Sequence, residues 1–309
     1  SSTRRDSGMT SASPSRARHP IVIIGHGDIA RRLAGRLREH HIIAIARHSP
    51  DRPAGHRGDW QGLALDLDSD SRPAAADLAG AIWVYLAPPP REGQEDRRVA
   101  RWIASDGIAK PAAIVYVSTT GVYGDQQGGW VDESTQATPS HDRGRRRLDA
   151  ERRFGALADE QHIPLTVLRV TGIYACDRLP VEKIRQGTPV PAGPEAPWSN
   201  RIHAEDLADI LFRLIERVEN DVPASGIFNV SDNHPTPVNV IYRQVAAHFG
   251  LPQPPETSLE TVLTQVTPMA REFLSESRRI DAHAIQQALN WQPRYPTLAS
   301  ALADCRRAI

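Results

Sequence analysis

From Pro20 to Val170, six short apolar runs alternate with stretches of helical periodicity, and this alternation restricts the chain to an α/β fold built on a parallel sheet. The runs are Pro20 to Ile24, His41 to Ala46, Gly62 to Leu65, Ala81 to Ala87, Ala112 to Ser118 and Pro164 to Val170. Five or six strands of this kind, joined by helices, make a doubly wound sheet. After the first run Ala30, Leu33, Ala34 and Leu37 recur on one helical face, and Ala150, Phe154, Leu157 and Ala158 do so on a helix expected over Arg145 to Gln161. No run reaches the roughly 18 apolar residues that span a bilayer, so no membrane role is expected.

The strongest chemical signal lies inside that pattern. Gly25-x-Gly27-x-x-Ala30 stands directly between the first strand and the first helix, the setting of a Rossmann-type dinucleotide site. Gly25 permits the tight turn, Gly27 lets a pyrophosphate reach the backbone, and Ala30 is small enough for close packing of helix on strand. The N–H groups at Asp28 and Ile29 belong to the helix start that would hold the phosphates. The second run ends in Ala46-Arg47-His48-Ser49 and not in an acidic residue. An arginine there suits a 2′-phosphate, with Ser49 as a further donor, so NADP is expected over NAD. Asp66 is a candidate acceptor for the adenine amino group or the start of a turn, and Ala87, ending the fourth run, joins the cofactor candidates.

Composition bounds the partners. Across 309 residues, 37 Lys+Arg balance 37 Asp+Glu, so no global field favours nucleic acid or an anionic membrane. Hydrophobic residues at 40% and charged residues at 24% are those of a globular chain with a large core. Residues 1–19, rich in Ser and Arg, read as a disordered leader; residues 20–170 as the nucleotide-binding domain; residues 171–309, broken by Pro180, Pro189, Pro191, Pro194 and Pro197, as a smaller substrate-binding region with some segments returning to the sheet. Helices are expected there at Glu205 to Val218 and around Val238 to Phe249, and Asp281 is expected to cap the helix carrying Ile285 and Leu289. The two cysteines, Cys176 and Cys305, support neither a disulfide scaffold nor a zinc site, so no metal and a reducing cytoplasm are expected.

The fifth run ends in Val117-Ser118-Thr119-Thr120-Gly121-Val122-Tyr123-Gly124, followed by Leu148-Asp149-Ala150-Glu151, by Leu168-Arg169-Val170-Thr171-Gly172-Ile173-Tyr174, by Arg201-Ile202-His203-Ala204-Glu205-Asp206 and by Phe228-Asn229-Val230-Ser231-Asp232. With the glycine turn, these segments resemble the extended short-chain dehydrogenase/reductase family over residues 20–309, and more closely an atypical branch of NAD(P)-dependent epimerase/dehydratase-like proteins. The resemblance implies that Thr119 hydrogen-bonds the reacting oxygen of a small-molecule substrate, and that the protein is a homodimer. It also exposes a departure. Counted back from Glu151, the family's tyrosine falls on Arg143 and its lysine on Arg147. Arginine cannot serve as the acid/base, because neutralising it near pH 7 costs on the order of 7 kcal/mol.

Arg147 is expected to keep the lysine's positive charge near the nicotinamide ribose, and Arg143 suits an anionic substrate or the cofactor phosphates. The proton carrier must then be Tyr123, His141 or Tyr174, of which a histidine titrates in the right range as a residue type. Tyr174, Arg201 and His203 are substrate-side candidates, an arginine suiting phosphate or carboxylate. Thr120-Gly121 follows Thr119 where family dehydratases carry Asp-Glu, so dehydration is not supported. Two functions follow from these residues: an NAD(P)-dependent oxidoreductase or epimerase-type enzyme acting on a carbonyl, alcohol or sugar-nucleotide-like substrate, or a catalytically degenerate NADP(H)-binding sensor or scaffold.

Overall fold

The computed structural model describes residues 18–104 and 110–306, so residues 1–17 of the expected leader lie outside the described residues. Strands β1 (Ile21–Ile24), β2 (Ile42–Ala46), β3 (Trp60–Ala64), β4 (Ile82–Tyr85), β5 (Ala113–Thr119), β6 (Leu165–Val170) and β7 (Gly226–Val230) form one seven-stranded sheet in the order β7-β6-β5-β4-β1-β2-β3. Every neighbouring pair is parallel. β1 shows why such strands read as unbroken apolar runs: Ile21 and Ile23 face one layer of helices, Val22 and Ile24 face the other, and all four are fully buried.

Two differences from the sequence reading have local causes. β3 begins at Trp60, not Gly62, because the Trp60 indole is anchored on the Pro50 carbonyl at 3.0 Å and draws the preceding residues into the ladder. β7 is a seventh strand that lacks an apolar run, since Gly226 and Ile227 are exposed at the sheet edge and only its last two residues are buried.

Helices α1 (Asp28–Arg36), α2 (Asp142–Gln161) and α3 (Ala204–Glu219) fix the layers. α1 and α3 cover one face through Leu33, Leu207, Ile210 and Leu214, while α2 covers the other through Ala150 and Phe154. Arg36 ties α1 to α3 by ion pairs with Glu205 and Asp209 at 3.0 and 3.1 Å. A further core joins Tyr174, Ile184, Val245, Leu298 and Leu302 from the chain beyond β6. Asp281 does not occupy the cap position of the helix His283–Leu289, which falls on Ala282; its carboxylate accepts the His283 N–H at 3.0 Å from one residue further out.

The cysteine reading is overturned. Cys176 and Cys305 form a disulfide, with their Cα atoms 5.6 Å apart and a sequence separation of 129. Pairing at that separation depends on the helix Leu298–Ala303 packing beside Tyr174, a tertiary contact that cysteine spacing cannot reveal. Among the described residues no helix is long and apolar enough to cross a membrane.

Candidate active site

The glycine turn is built to be approached. Gly25 adopts φ +95°, and a Cβ there would stand 2.7 Å from the backbone nitrogen of Ala87, so the turn is pressed against the end of β4. Gly27 is the opposite: a Cβ would meet nothing within 4 Å. It caps α1 with no side-chain hydrogen bond, which leaves the first N–H groups of the helix facing open space. Ala30 is buried against the core and Ile29 packs beside it. An open turn, free amides and a small residue beneath them fit a dinucleotide pyrophosphate. Asp28, at the helix start, is already paired with Arg32 at 2.9 Å and with Arg178 at 3.3 Å.

A cavity of about 580 Å³ at the end of β2 is lined by Arg47, His48, Ser49 and Arg52 together with His26 and Arg31. Burial, reinforced by Arg31, pushes the pKa of the His26 imidazole below its ordinary value. Asp66 starts a turn, its carboxylate accepting the Asp68 N–H at 2.9 Å.

A second cavity, of about 750 Å³, opens beside the C-terminal end of β5 and gathers Thr119, His141, Arg143, Tyr174 and Arg201 from four separate stretches of sequence. Thr119 sits at the end of β5, its Oγ1 accepting the Gly121 N–H at 3.2 Å. The start of α2 is drawn in because Gly144 has no side chain: a Cβ there would lie 2.7 Å from the Gly121 carbonyl. That approach brings His141 and Arg143 onto the wall. The His141 Nε2 is 3.3 Å from the Ser275 hydroxyl and 3.7 Å from Glu276 Oε1.

Tyr174 is buried with its hydroxyl unpartnered, and burial raises its pKa far above the usual tyrosine range. Arg201 is buried too, held by long contacts to Thr236 Oγ1 (3.4 Å), the His234 carbonyl (3.5 Å) and Asp232 (3.9 Å). Burial draws its guanidinium below the ordinary arginine value. Both fit an anion or hydroxyl that completes their hydrogen bonding.

Three candidates are placed elsewhere. The Tyr123 hydroxyl donates to Asn229 Oδ1 at 2.6 Å in the core, away from either cavity, so it is not available to move a substrate proton. His203 is buried as the cap of α3, accepting the Glu205 N–H on Nδ1 at 3.0 Å and stacking on Tyr295 at 4.2 Å, and does not reach the cavity. Arg147 points back to β5 and donates to the Val117 carbonyl at 3.1 Å. The sequence reading missed Arg178, Lys183, Glu276 and Arg278, and the helix Pro268–Leu274, whose half-exposed Met269 and Phe273 form an apolar wall. No motif marks these residues; only the fold of the chain beyond β6 brings them to the site.

No family model matches the chain, and no curated protein does. Solved structures do. A functionally unknown conserved protein from Silicibacter pomeroyi is 31% identical, with 92% of this chain and 96% of that one aligned and a TM-score of 0.73. A putative NAD-dependent epimerase/dehydratase from Methylobacillus flagellatus is 25% identical over 93% and 97%, at 0.66. A Bacillus cereus UDP-glucuronic acid 4-epimerase in complex with NAD is 15% identical over 92% and 94%, at 0.70, and is similar in fold.

Proposed function

We propose that the chain, which is similar to a putative NAD-dependent epimerase/dehydratase, is a member of the extended short-chain dehydrogenase/reductase family and an NADP-dependent oxidoreductase or epimerase-type enzyme for an anionic carbonyl, alcohol or sugar-nucleotide-like substrate. The observation that carries this reading is the open glycine turn pressed on Ala87, with Arg178 reaching from it to the cavity that holds Thr119. A bound nicotinamide supplies hydride transfer; the chain supplies binding, orientation and the proton. Arg47, with Arg31 and Arg52 on the same cavity, reads the 2′-phosphate by charge-assisted hydrogen bonds. The Thr119 hydroxyl orients the reacting oxygen, and His141, backed by Ser275 and Glu276, moves its proton in place of the absent tyrosine. Arg143 and Arg201 hold the substrate's anionic group.

The sequence placed the protein in a reducing cytoplasm on the expectation of unpaired cysteines. The Cys176–Cys305 bridge counts against it, because cytoplasmic thiols are kept reduced.

The test is calorimetric titration with NADPH and NADH, alongside Gly27→Asp and Arg47→Ala variants. Binding that Gly27→Asp abolishes, with a NADPH preference that Arg47→Ala removes, supports the reading; equal loss of both cofactors in Arg47→Ala would refute the 2′-phosphate assignment. The Arg147 guanidinium held on the Val117 carbonyl favours a second reading, a cofactor sensor without turnover. Under it, bound NADPH is oxidised by none of a panel of aldehydes, ketones and sugar nucleotides. Under the enzyme reading, one substrate is turned over and Thr119→Ala lowers that rate.

A further inference from the structure

The glycine turn carries a charge problem. A dinucleotide brings two negative phosphates to the start of α1, where Asp28 follows Gly27 and places a third negative charge beside them. Arg32 does not solve it. One turn along α1, it is held by Asp28 at 2.9 Å and by Glu205 on α3, so it neutralises carboxylates already present. Burial, with Arg31 beside it, lowers the His26 pKa and disfavours the cationic form that could answer a phosphate.

Arg178 differs from both. It comes from beyond β6, in the short turn Cys176–Arg178, and reaches Asp28 Oδ2 at 3.3 Å. Its side chain is 39% exposed, it lines the substrate cavity on its other side, and Asp28 keeps Arg32 when Arg178 moves away. Cys176, two residues earlier, is bonded to Cys305, so the backbone of this turn is fixed while the long side chain is free to swing.

We propose that Arg178 is the cofactor clamp of this protein: it rests on Asp28 and transfers to the dinucleotide pyrophosphate when the cofactor enters the glycine turn. The inference rests on the dinucleotide reading of that turn. A guanidinium matches a phosphate with two parallel N–H bonds, an arrangement that a single shared carboxylate oxygen does not offer. Because Arg178 also borders the substrate cavity, the same movement links cofactor entry to the shape of the substrate site.

The test measures affinity by calorimetry, without turnover, for NADPH and for adenosine 2′-phosphate, which lacks the pyrophosphate. Arg178→Ala should weaken NADPH roughly ten- to hundredfold and leave adenosine 2′-phosphate unchanged. Asp28→Asn keeps a hydrogen-bond acceptor for Arg32, removes the repulsion and the competing partner, and should tighten NADPH severalfold. If Arg178 merely staples the chain beyond β6 to α1, both variants lose thermal stability together and bind NADPH alike, and the clamp is overturned. NADPH binding unaltered in Arg178→Ala overturns it as well, leaving the dinucleotide reading intact. Wild-type protein that binds neither NADPH nor NADH overturns the dinucleotide reading itself, and the clamp with it.

Discussion

Arg169 meets Glu151 as a two-pronged ion pair beneath the end of β5, with Nη2 and Nε of the arginine 2.8 and 3.1 Å from Oε1. The other carboxylate oxygen accepts the Ser118 hydroxyl at 2.6 Å, and the guanidinium lies 4.9 Å from the centre of the Tyr123 ring. The pair therefore ties α2, β5 and β6 together directly below Thr119. Both side chains are buried, so removing one strands the other charge out of water. Glu151→Ala should lower unfolding free energy by about 3–5 kcal/mol in urea titration, and the double variant Glu151→Leu/Arg169→Met by less than that. A loss under about 1 kcal/mol in the single variant would show that water reaches the pair.

Gly25 and Gly27 share a motif but should fail differently. Gly25→Ala forces a side chain into φ +95° and onto the Ala87 nitrogen, a strain expected to cost about 2 kcal/mol or more. At Gly27, φ is −96° and the space around a Cβ is empty, so Gly27→Ala should leave stability within about 0.5 kcal/mol while weakening cofactor binding. Thermal melts with and without NADPH separate the two. Equal destabilisation by both would mean the space above Gly27 is filled by packing.

The presence of β1 to β6 was legible because buried parallel strands are short, apolar and separated by amphipathic helices, as Ile21–Ile24 and its following helix show. β7 was not, since an edge strand with an exposed Gly226 and Ile227 has no pattern of its own. The glycine turn was legible because its chemistry is backbone chemistry fixed by local spacing. Tyr123 and His203 were misread for the converse reason: a polar side chain in a motif segment can serve a core hydrogen bond or a helix cap as well as a substrate, and only the partners, Asn229 and the Glu205 N–H, decide. Arg178 and Glu276 lay in segments with no periodicity or motif. Their places beside the cavity are set by contacts to Asp28 and His141 far away in sequence.

Asp232 gives the molecule a signed pH dependence. Burial raises its carboxyl from the ordinary 3.8 to about 6, against the partial relief offered by Arg201 and the His234 N–H. A carboxyl whose folded-state pKa is raised holds its proton more tightly when folded. Its contribution to stability is therefore full below about pH 3.8 and is lost as pH rises through about 6, a change on the order of 3 kcal/mol. Asp232→Asn cannot ionise, and the loss of a counter-charge for Arg201 shifts its stability by an amount independent of pH. The stability of the wild type relative to Asp232→Asn should fall between about pH 4 and pH 7 in urea titrations. A difference that stays flat over this range would mean that Asp232 ionises as readily folded as unfolded.

The Cys176–Cys305 bridge closes a loop across 129 residues, so it restricts the unfolded chain over nearly the whole region beyond β6. Chain entropy alone puts such a closure near 5 kcal/mol, and measured bridges more often give about 2–4 kcal/mol. The stabilisation should appear in the small core of Tyr174, Ile184, Val245 and Leu302 and not in the sheet, because both cysteines border that core. Cys176→Ser/Cys305→Ser, or the wild type treated with dithiothreitol, should unfold at lower urea, with amides of Val238–Phe249 exchanging hydrogen faster while those of β1 and β4 keep their protection. Uniform loss of protection across the sheet would instead make the bridge part of one global folding unit. Unchanged unfolding after reduction would mean that the core holds this region without it.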